Sequence, residues 1–127
     1  MKTVLVIDDN EHIQSTLKSV LSGQYKVMQV QKLKEVREIL KSGAPKVDAV
    51  LASRFLKKTD ITGLLVKSLK DSGFLHPIIA LWNESEDMEI QLEEGCTHQI
   101  SKTNLGLTPM KLNRIMESVQ NPKTKAL

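Results

Sequence analysis

The chain has 127 residues, of which 40% are apolar and 26% are charged, values that are ordinary for one globular domain. No apolar stretch approaches the roughly 20 residues that cross a bilayer, and the single cysteine, Cys96, has no second cysteine for an internal disulfide. The net charge of +3 is too mild to indicate a nucleic-acid partner by itself, so a cytoplasmic protein without a membrane segment is predicted.

Apolar segments of strand length alternate with segments of helical periodicity along the whole chain. The strand segments are continuous apolar runs, which is typical of strands that are buried on both faces of a parallel sheet. Short polar or glycine-containing loops separate them. In chain order, the sequence predicts strands at 4–7, 27–30, 47–52, 78–81 and near 99–100, with helices after 10, at 33–40, at 61–69, at 85–94 and from 108.

Several residues mark the helix boundaries. Asn10 is expected to cap the first helix, and Gly95 to end the fourth. Thr108, followed by proline, is expected to cap the last helix. In the acidic fourth helix, Met88 and Leu92 are expected to face the core because they are its large apolar residues at helical spacing.

Five strand–helix units joined by short loops imply a parallel sheet with helices on both faces. The expected fold is α/β, a flavodoxin-like (βα)5 sandwich with strand order 2-1-3-4-5. Residues 1–120 form the predicted domain, and residues 121–127 are predicted to be a frayed tail. Ligands of such sheets bind at the carboxyl ends of the strands, near the switch point between the first and third strands.

Asp8 and Asp9 directly follow the first predicted strand. Two adjacent carboxylates at a strand end repel each other, and their oxygens are ligands that suit a hard cation such as Mg²⁺. The alternative is a capping carboxylate beside a solvated one. The position at the predicted switch point favours a functional role.

Four segments together resemble response-regulator receiver domains of bacterial two-component signalling. The run Val4 to Asn10 (VLVIDDN) resembles the opening strand and acidic pair of that family. The segments 47–52, 76–81 and 94–102 resemble its third strand, its fourth strand and the approach to its lysine, so the resemblance covers nearly the whole chain. It implies a CheY-like receiver fold with Asp8 and Asp9 as the Mg²⁺-binding pair and Lys102 as the family lysine.

The sequence departs from the receiver pattern at the positions that carry phosphorylation. Ser53 stands where the family has its phosphoacceptor aspartate, and no base is evident beside it in the sequence. Trp82 replaces the small hydroxyl residue after the fourth strand, and Gln99 replaces the switch aromatic. The proline after the family lysine is Thr103. These departures predict a pseudo-receiver with no catalytic residues.

The retained residues have two interpretations. Lys102 is expected to form an ion pair with Asp8 or Asp9, which is favoured over a residual Mg²⁺ site on these two carboxylates because a third carboxylate is missing. No cofactor is therefore required. Three cations on the segment 54–62, which is longer than the usual turn, are expected to be able to neutralise the pocket as well; they are Arg54, Lys57 and Lys58.

Charge is distributed unevenly. Residues 84–94 contain six carboxylates and no lysine or arginine, so the rest of the chain is more basic than the average suggests. A solvated helix face is one interpretation and electrostatic steering of a partner is the other. The receiver resemblance implies a partner face on the fourth helix, fifth strand and fifth helix, which would contain Glu86, Asp87, Glu89, Glu93, Lys111 and Arg114.

The leading hypothesis is an atypical receiver in two-component (phosphorelay) signal transduction that acts as a phosphorylation-independent protein interaction module. Its partner would be a histidine kinase, another response regulator or an output protein, and the chain would be a monomer or weak homodimer without membrane or specific nucleic-acid binding. The alternative is a receiver that takes phosphate from a histidine kinase through an unconventional acceptor, Asp9 or Asp60. A third class, nucleic-acid binding, lacks a helix-turn-helix signal and an aromatic-rich face.

Overall fold

A five-stranded parallel sheet forms the centre of the protein, which a computed structural model describes over residues 1–120. The predicted tail at 121–127 lies outside the described residues. In chain order the strands are β1 (Lys2–Ile7), β2 (Tyr25–Val30), β3 (Ala49–Ala52), β4 (Phe55–Leu56), β5 (Thr59–Asp60), β6 (Ile78–Trp82) and β7 (His98–Ser101).

The sheet has the order β2-β1-β3-β6-β7, and all of its neighbouring strands are parallel. Strands β4 and β5 form a separate antiparallel hairpin. When only the five sheet strands are counted, the order is the 2-1-3-4-5 of the flavodoxin-like fold, and the prediction is confirmed.

In the described part of the chain, four α-helices connect the strands and a fifth follows the last strand, after a 3-10 segment (Lys102–Leu107). Asn10 caps the first helix by accepting the Ile13 backbone N–H at 3.0 Å, as predicted. Within residues 1–120, no helix is both long and apolar enough to span a bilayer. The helices are α1 (Glu11–Leu21), α2 (Leu33–Lys41), α3 (Thr62–Asp71), α4 (Ser85–Glu94) and α5 (Thr108–Gln120).

The core lies in two layers, one on each face of the sheet. Side chains alternate along each strand, so Leu5 and Ile7 face α2 and α3 whereas Val4 and Val6 face α1 and α5. Both layers are almost fully buried, which explains why the strands are continuous apolar runs in the sequence. The helical residues that cover the two faces include Val36, Leu65 and Leu69 on one side and Leu17, Leu21, Leu112 and Met116 on the other.

The inward face of α4 differs from the predicted one. Leu92 is 38% exposed, whereas Gln91 is 1% exposed. The Gln91 amide Nε2 donates to the backbone carbonyl of Ala52 at 2.9 Å, at the end of β3. A buried carbonyl needs a hydrogen-bond donor. Gln91 therefore faces the core in this turn of α4, and Leu92, which hydrophobicity alone predicted to be buried, faces outward.

Thr108 was expected to cap α5, and this prediction is wrong. Thr108 has helical backbone angles (φ −56°, ψ −45°) and lies inside the helix, because the preceding 3-10 segment continues directly into α5. Its side chain is fully buried, and its hydroxyl has no hydrogen-bond partner among residues 1–120. A buried hydroxyl without a partner destabilises the folded state.

We expect Thr108→Val to raise the free energy of unfolding by about 1 kcal/mol, because valine has the same shape and removes the unpaired hydroxyl. The matched control is Thr97→Val, since the Thr97 hydroxyl oxygen accepts the Ile78 N–H at 3.0 Å. That variant should lose about 1 kcal/mol. Urea unfolding of both variants measures the difference, and equal losses would show that Thr108 has a partner such as a buried water.

Candidate functional site

The side chain of Asp8 lies at the centre of a polar cluster at the carboxyl ends of the strands. Ile7 pairs with Ala52 in the register of β1 and β3, so the residues that follow them, Asp8 and Ser53, lie side by side. The Ser53 N–H also donates to the Ile7 carbonyl at 2.9 Å. Lys102 follows β7 and reaches the same point with its long side chain.

Both oxygens of Asp8 have partners. Oδ2 accepts the Ser53 hydroxyl at 2.5 Å and lies 3.0 Å from Lys102 Nζ, and Oδ1 accepts the Asn10 N–H at 2.8 Å. The Asp8 side chain is 1% exposed and that of Lys102 is 19% exposed. A buried carboxylate is stable only with such charged and hydrogen-bonding partners. The ion pair suggested by the sequence is therefore present, with Asp8 and not Asp9.

Asp9 does not take part in the Asp8 cluster and contacts the β4–β5 hairpin instead. It is exposed, and its Oδ2 accepts the backbone N–H of Lys57 at 2.5 Å. Lys57 lies at the turn between β4 and β5 and has a positive φ of 54°, an uncommon conformation for a residue with a side chain. The acidic pair is thus divided, since Asp8 holds the polar cluster and Asp9 holds the turn of the hairpin.

The segment after β3 folds into a hairpin that the sequence did not reveal. Phe55 pairs with Asp60 and Leu56 with Thr59, and the Ile61 N–H closes the loop on the Arg54 carbonyl at 2.9 Å. Leu56 is buried in the core. The sequence indicated only a longer loop, because the turn contains two lysines and no glycine or asparagine.

Arg54 joins this hairpin to α4. Its Nε donates to Asp60 at 2.9 Å and its Nη1 donates to Asp87 at 3.0 Å, while the guanidinium lies 4.7 Å from the centre of the Phe55 ring. The hydrogen bonds to Asp60, which has the larger effect, and to Asp87 raise the pKa of the guanidinium above its ordinary value. Arg54 therefore pairs with these carboxylates and not with Asp8, contrary to the expectation that it could neutralise the pocket.

Trp82 and Gln99, which the receiver resemblance matched to the family's switch positions, are hydrogen-bonded to each other. The indole Nε1 of Trp82, at the end of β6, donates to the Gln99 amide oxygen on the adjacent strand β7 at 2.6 Å. Trp82 is half-buried and Gln99 is exposed. The amide thus satisfies the one polar atom of the indole side chain.

Two of the oxygens that a magnesium site on the acidic pair could use are bound to other groups in this structure. Mg²⁺ requires oxygen ligands with free lone pairs in near-octahedral geometry. Asp8 Oδ2 already faces an ammonium group and a hydroxyl, and Asp9 Oδ2 binds a backbone N–H. In the described range, 1–120, no group of three or more His, Cys, Asp or Glu side chains is placed to hold a metal ion.

The predicted partner face divides into outward and internal residues. Glu86, Glu89 and Glu93 are exposed on α4, whereas Asp87 is bonded to Arg54 on the side of the hairpin. On α5, Arg114 is exposed and Lys111 is half-buried. The outward acidic set on α4 therefore contains three of the four predicted carboxylates.

Cys96 is buried in the core layer that also contains Val66, as expected for a small apolar residue. Burial raises the pKa of its thiol to about 11, an effect that Lys70 partly opposes. The thiol is thus protonated at neutral pH and is not a candidate nucleophile.

Comparison by sequence identifies no relative, since no family model and no curated protein matches the chain. Comparison of structures finds proteins of similar fold. The N-terminal domain of the nisin resistance regulator NsrR, a lantibiotic response regulator, has a TM-score of 0.75 and 24% identity, with 91% of this chain and 98% of that chain covered.

Two further receiver domains are similar. That of the sensor histidine kinase PA1611 from Pseudomonas aeruginosa, solved with a magnesium ion coordinated in its active site cleft, has a TM-score of 0.75 and 23% identity over 92% of this chain and 98% of that chain. That of a response regulator from Clostridium thermocellum has a TM-score of 0.76 and 18% identity, and both chains are fully covered (100% each). The chain therefore has the fold of response-regulator receiver domains.

Proposed function

We propose that this chain is a receiver-like domain of two-component signalling that acts through protein contacts and is not phosphorylated. The receiver fold and the position of the polar cluster at the carboxyl ends of β1, β3 and β7 support the receiver assignment. The contact between Ser53 and Asp8 is the observation that supports the absence of phosphorylation.

Ser53 lies where a receiver has its acceptor carboxylate, and its hydroxyl is a poor replacement. It is 4% exposed, so an incoming phosphodonor cannot reach it without a rearrangement of the pocket. The sequence showed no base beside Ser53, whereas the structure places Asp8 there at 2.5 Å. Asp8 is itself bound by Lys102 and by the Asn10 N–H, so its carboxylate is engaged in structural contacts and is not a free base for Ser53.

The alternative acceptors are engaged in structural contacts. Asp60 accepts hydrogen bonds from Arg54 and from the Thr62 N–H at the start of α3, and Asp9 holds the Lys57 N–H. Phosphorylation of either would break these contacts. The phosphorylatable alternative therefore has less support than the phosphate-independent one.

We expect the purified chain, incubated with Mg²⁺ and a small-molecule phosphodonor such as acetyl phosphate, to keep its unmodified mass. A conventional receiver treated in parallel must gain a phosphoryl group for the result to count. A stoichiometric adduct would contradict the proposal. Its lability in hydroxylamine would indicate an acyl phosphate, and acid stability would indicate a phosphoserine or phosphothreonine; peptide mapping would then decide whether Asp9, Asp60 or Ser53 carries it.

The proposed partner is a protein, either a histidine kinase, a response regulator or an output protein. The acidic set Glu86, Glu89 and Glu93 on α4, with Arg114 on α5, suits a transient contact that weakens with salt. The proposal includes no enzymatic activity, no required cofactor, a cytoplasmic location, and a monomer or weak homodimer that does not bind membranes or specific nucleic acid.

A further inference from the structure

Strand β2 forms one edge of the sheet, since its only neighbouring strand among residues 1–120 is β1. It has six residues, whereas β7 at the other edge has four. The Val30 carbonyl accepts the Asp8 N–H, so the backbone groups of the even-numbered residues of β2 face β1. The N–H and C=O groups of Tyr25, Val27 and Gln29 therefore face away from the sheet, where they can pair with a further strand.

Met28 is a large apolar residue that this edge leaves uncovered. It is 42% exposed and lines a groove of about 350 Å³ between the edge strand and the loop that follows α2. The other large side chains that line the groove are apolar apart from Lys46; they are Leu5, Ile39, Pro45 and Val47. An open strand edge beside an apolar groove is a surface on which another chain can add both backbone pairing and apolar contact.

The sequence of β2 is complementary to itself in an antiparallel arrangement. A two-fold axis normal to the sheet at Met28 places Met28 of one copy opposite Met28 of the other, on the face that carries the groove. The backbone groups of Met28 face β1, so this is a closely spaced pair without backbone hydrogen bonds, and Val27 and Gln29 pair across the axis instead. Lys26 then lies opposite Val30, so the register places no lysine of β2 opposite another.

Charge complementarity favours the same register. The Glu35 carboxylate lies at the carboxyl end of β2, where it accepts the N–H groups of Gln31 at 3.4 Å and Lys32 at 3.2 Å. In this arrangement the exposed Lys26 of one copy faces that end of β2 in the other copy, and the two-fold symmetry forms the contact twice. Lys32 is exposed in the same turn and reduces the attraction, which is consistent with a weak dimer.

We propose that the β2 edge is a docking surface for a second copy of this chain, so that the two sheets join into one continuous sheet about a two-fold axis at Met28. A second copy is the occupant because one register matches the backbone, apolar and charged groups of the edge with themselves. The inference goes beyond the proposed function and does not depend on it, since none of its contacts involves Ser53 or Lys102. A phosphoryl adduct would therefore contradict the proposed function and leave the dimer unaffected.

Sedimentation equilibrium of the full chain tests the docking directly. We expect a reversible, weak dimer with a dissociation constant of about 10–500 μM. Lys26→Glu and Glu35→Lys should each weaken dimerisation by about tenfold, because two attractive contacts become repulsive. An equimolar mixture of these two variants should recover the natural affinity to within about threefold, because each mixed dimer again pairs opposite charges at both contacts.

Met28→Lys should weaken the dimer by about a hundredfold or more, because it places two ammonium groups at the axis. Met110→Lys is the matched control, since Met110 is 44% exposed on α5, outside the proposed edge, and its variant should dimerise like the natural chain. A natural chain that stays monomeric at about 1 mM would overturn the proposal. A dimer that Met28→Lys and Lys26→Glu do not weaken, or that Met110→Lys weakens equally, would also overturn it. These variants still decide if Glu35→Lys does not fold.

Discussion

Replacing Lys102 with methionine is expected to lower the free energy of unfolding by about 3 kcal/mol, because it leaves the buried Asp8 carboxylate without its cation. Asp8 would keep only the Ser53 hydroxyl and the Asn10 N–H as donors. The expected loss lies at the lower end for a broken buried ion pair, since these two donors continue to solvate the charge and Lys102 is itself partly exposed.

A double-mutant cycle separates the ion pair from the packing of the lysine stem. Asp8→Asn alone is expected to cost less, about 1–2 kcal/mol, because the unpaired ammonium of Lys102 can turn toward water. Asp8→Asn with Lys102→Met should recover part of the loss, since no buried charge remains. Urea unfolding at neutral pH measures the free energy of unfolding of the natural chain, the two single variants and the double variant.

Lys67→Met is the control for the loss of one lysine charge. Its pair with Asp71 on α3 is exposed at both ends, so the free energy of unfolding should change by no more than about 0.5 kcal/mol. A Lys102→Met variant that is no less stable than Lys67→Met would show that Asp8 does not depend on the ion pair. The interpretation of the cluster as a structural one would then be wrong.

Ser53→Asp is the second change with a large expected effect, because it places a new carboxylate against Asp8. Ser53 Oγ lies 2.5 Å from Asp8 Oδ2, so the two carboxylates would repel each other in a buried position. We expect a loss of about 2 kcal/mol in the presence of a chelator. Millimolar Mg²⁺ should restore much of that stability, since three neighbouring carboxylates supply the oxygen ligands that the natural residues lack.

Thermal unfolding with and without Mg²⁺ measures this effect. The natural chain and Ser53→Asn, which has nearly the same shape as the aspartate variant without its charge, should show no shift in Tm. A shift in the natural chain would mean that Asp8 and Asp9 still bind the metal despite their contacts with Lys102 and Lys57. A Ser53→Asp variant that is indifferent to Mg²⁺ would show that the single serine is not what prevents binding.

The approach of Lys102 to the acidic pair could be predicted from the receiver resemblance together with strand polarity, whereas the contact between Ser53 and Asp8 was not predicted. Each residue directly follows a strand of a parallel sheet, and the carboxyl ends of those strands lie along one edge. The continuous apolar runs that form β1, β3 and β6 identified the strands, and the strand order then determined which ends are neighbours. The ion pair forms because the buried Asp8 carboxylate requires a partner and the side chain of Lys102 is long enough to reach it.

The partners of individual polar side chains could not be predicted in the same way. Arg54 binds Asp87, 33 residues away, because a hairpin of unremarkable sequence brings the guanidinium to the first turn of α4. Hydrophobicity selected Leu92 as the buried residue of that helix, whereas the carbonyl of Ala52 requires a donor and selects Gln91.

The sequence by itself determined the sheet and its strand order, because apolar periodicity and strand polarity are properties of the chain, and the receiver resemblance indicated that Lys102 lies near the acidic pair. Only the tertiary structure decided which carboxylate serves which donor. Asp8 binds Lys102, Asp9 binds the turn at Lys57, and Asp87 binds Arg54. Hydrogen bonds act over about 3 Å, so their partners depend on atomic positions that no local pattern of residues specifies.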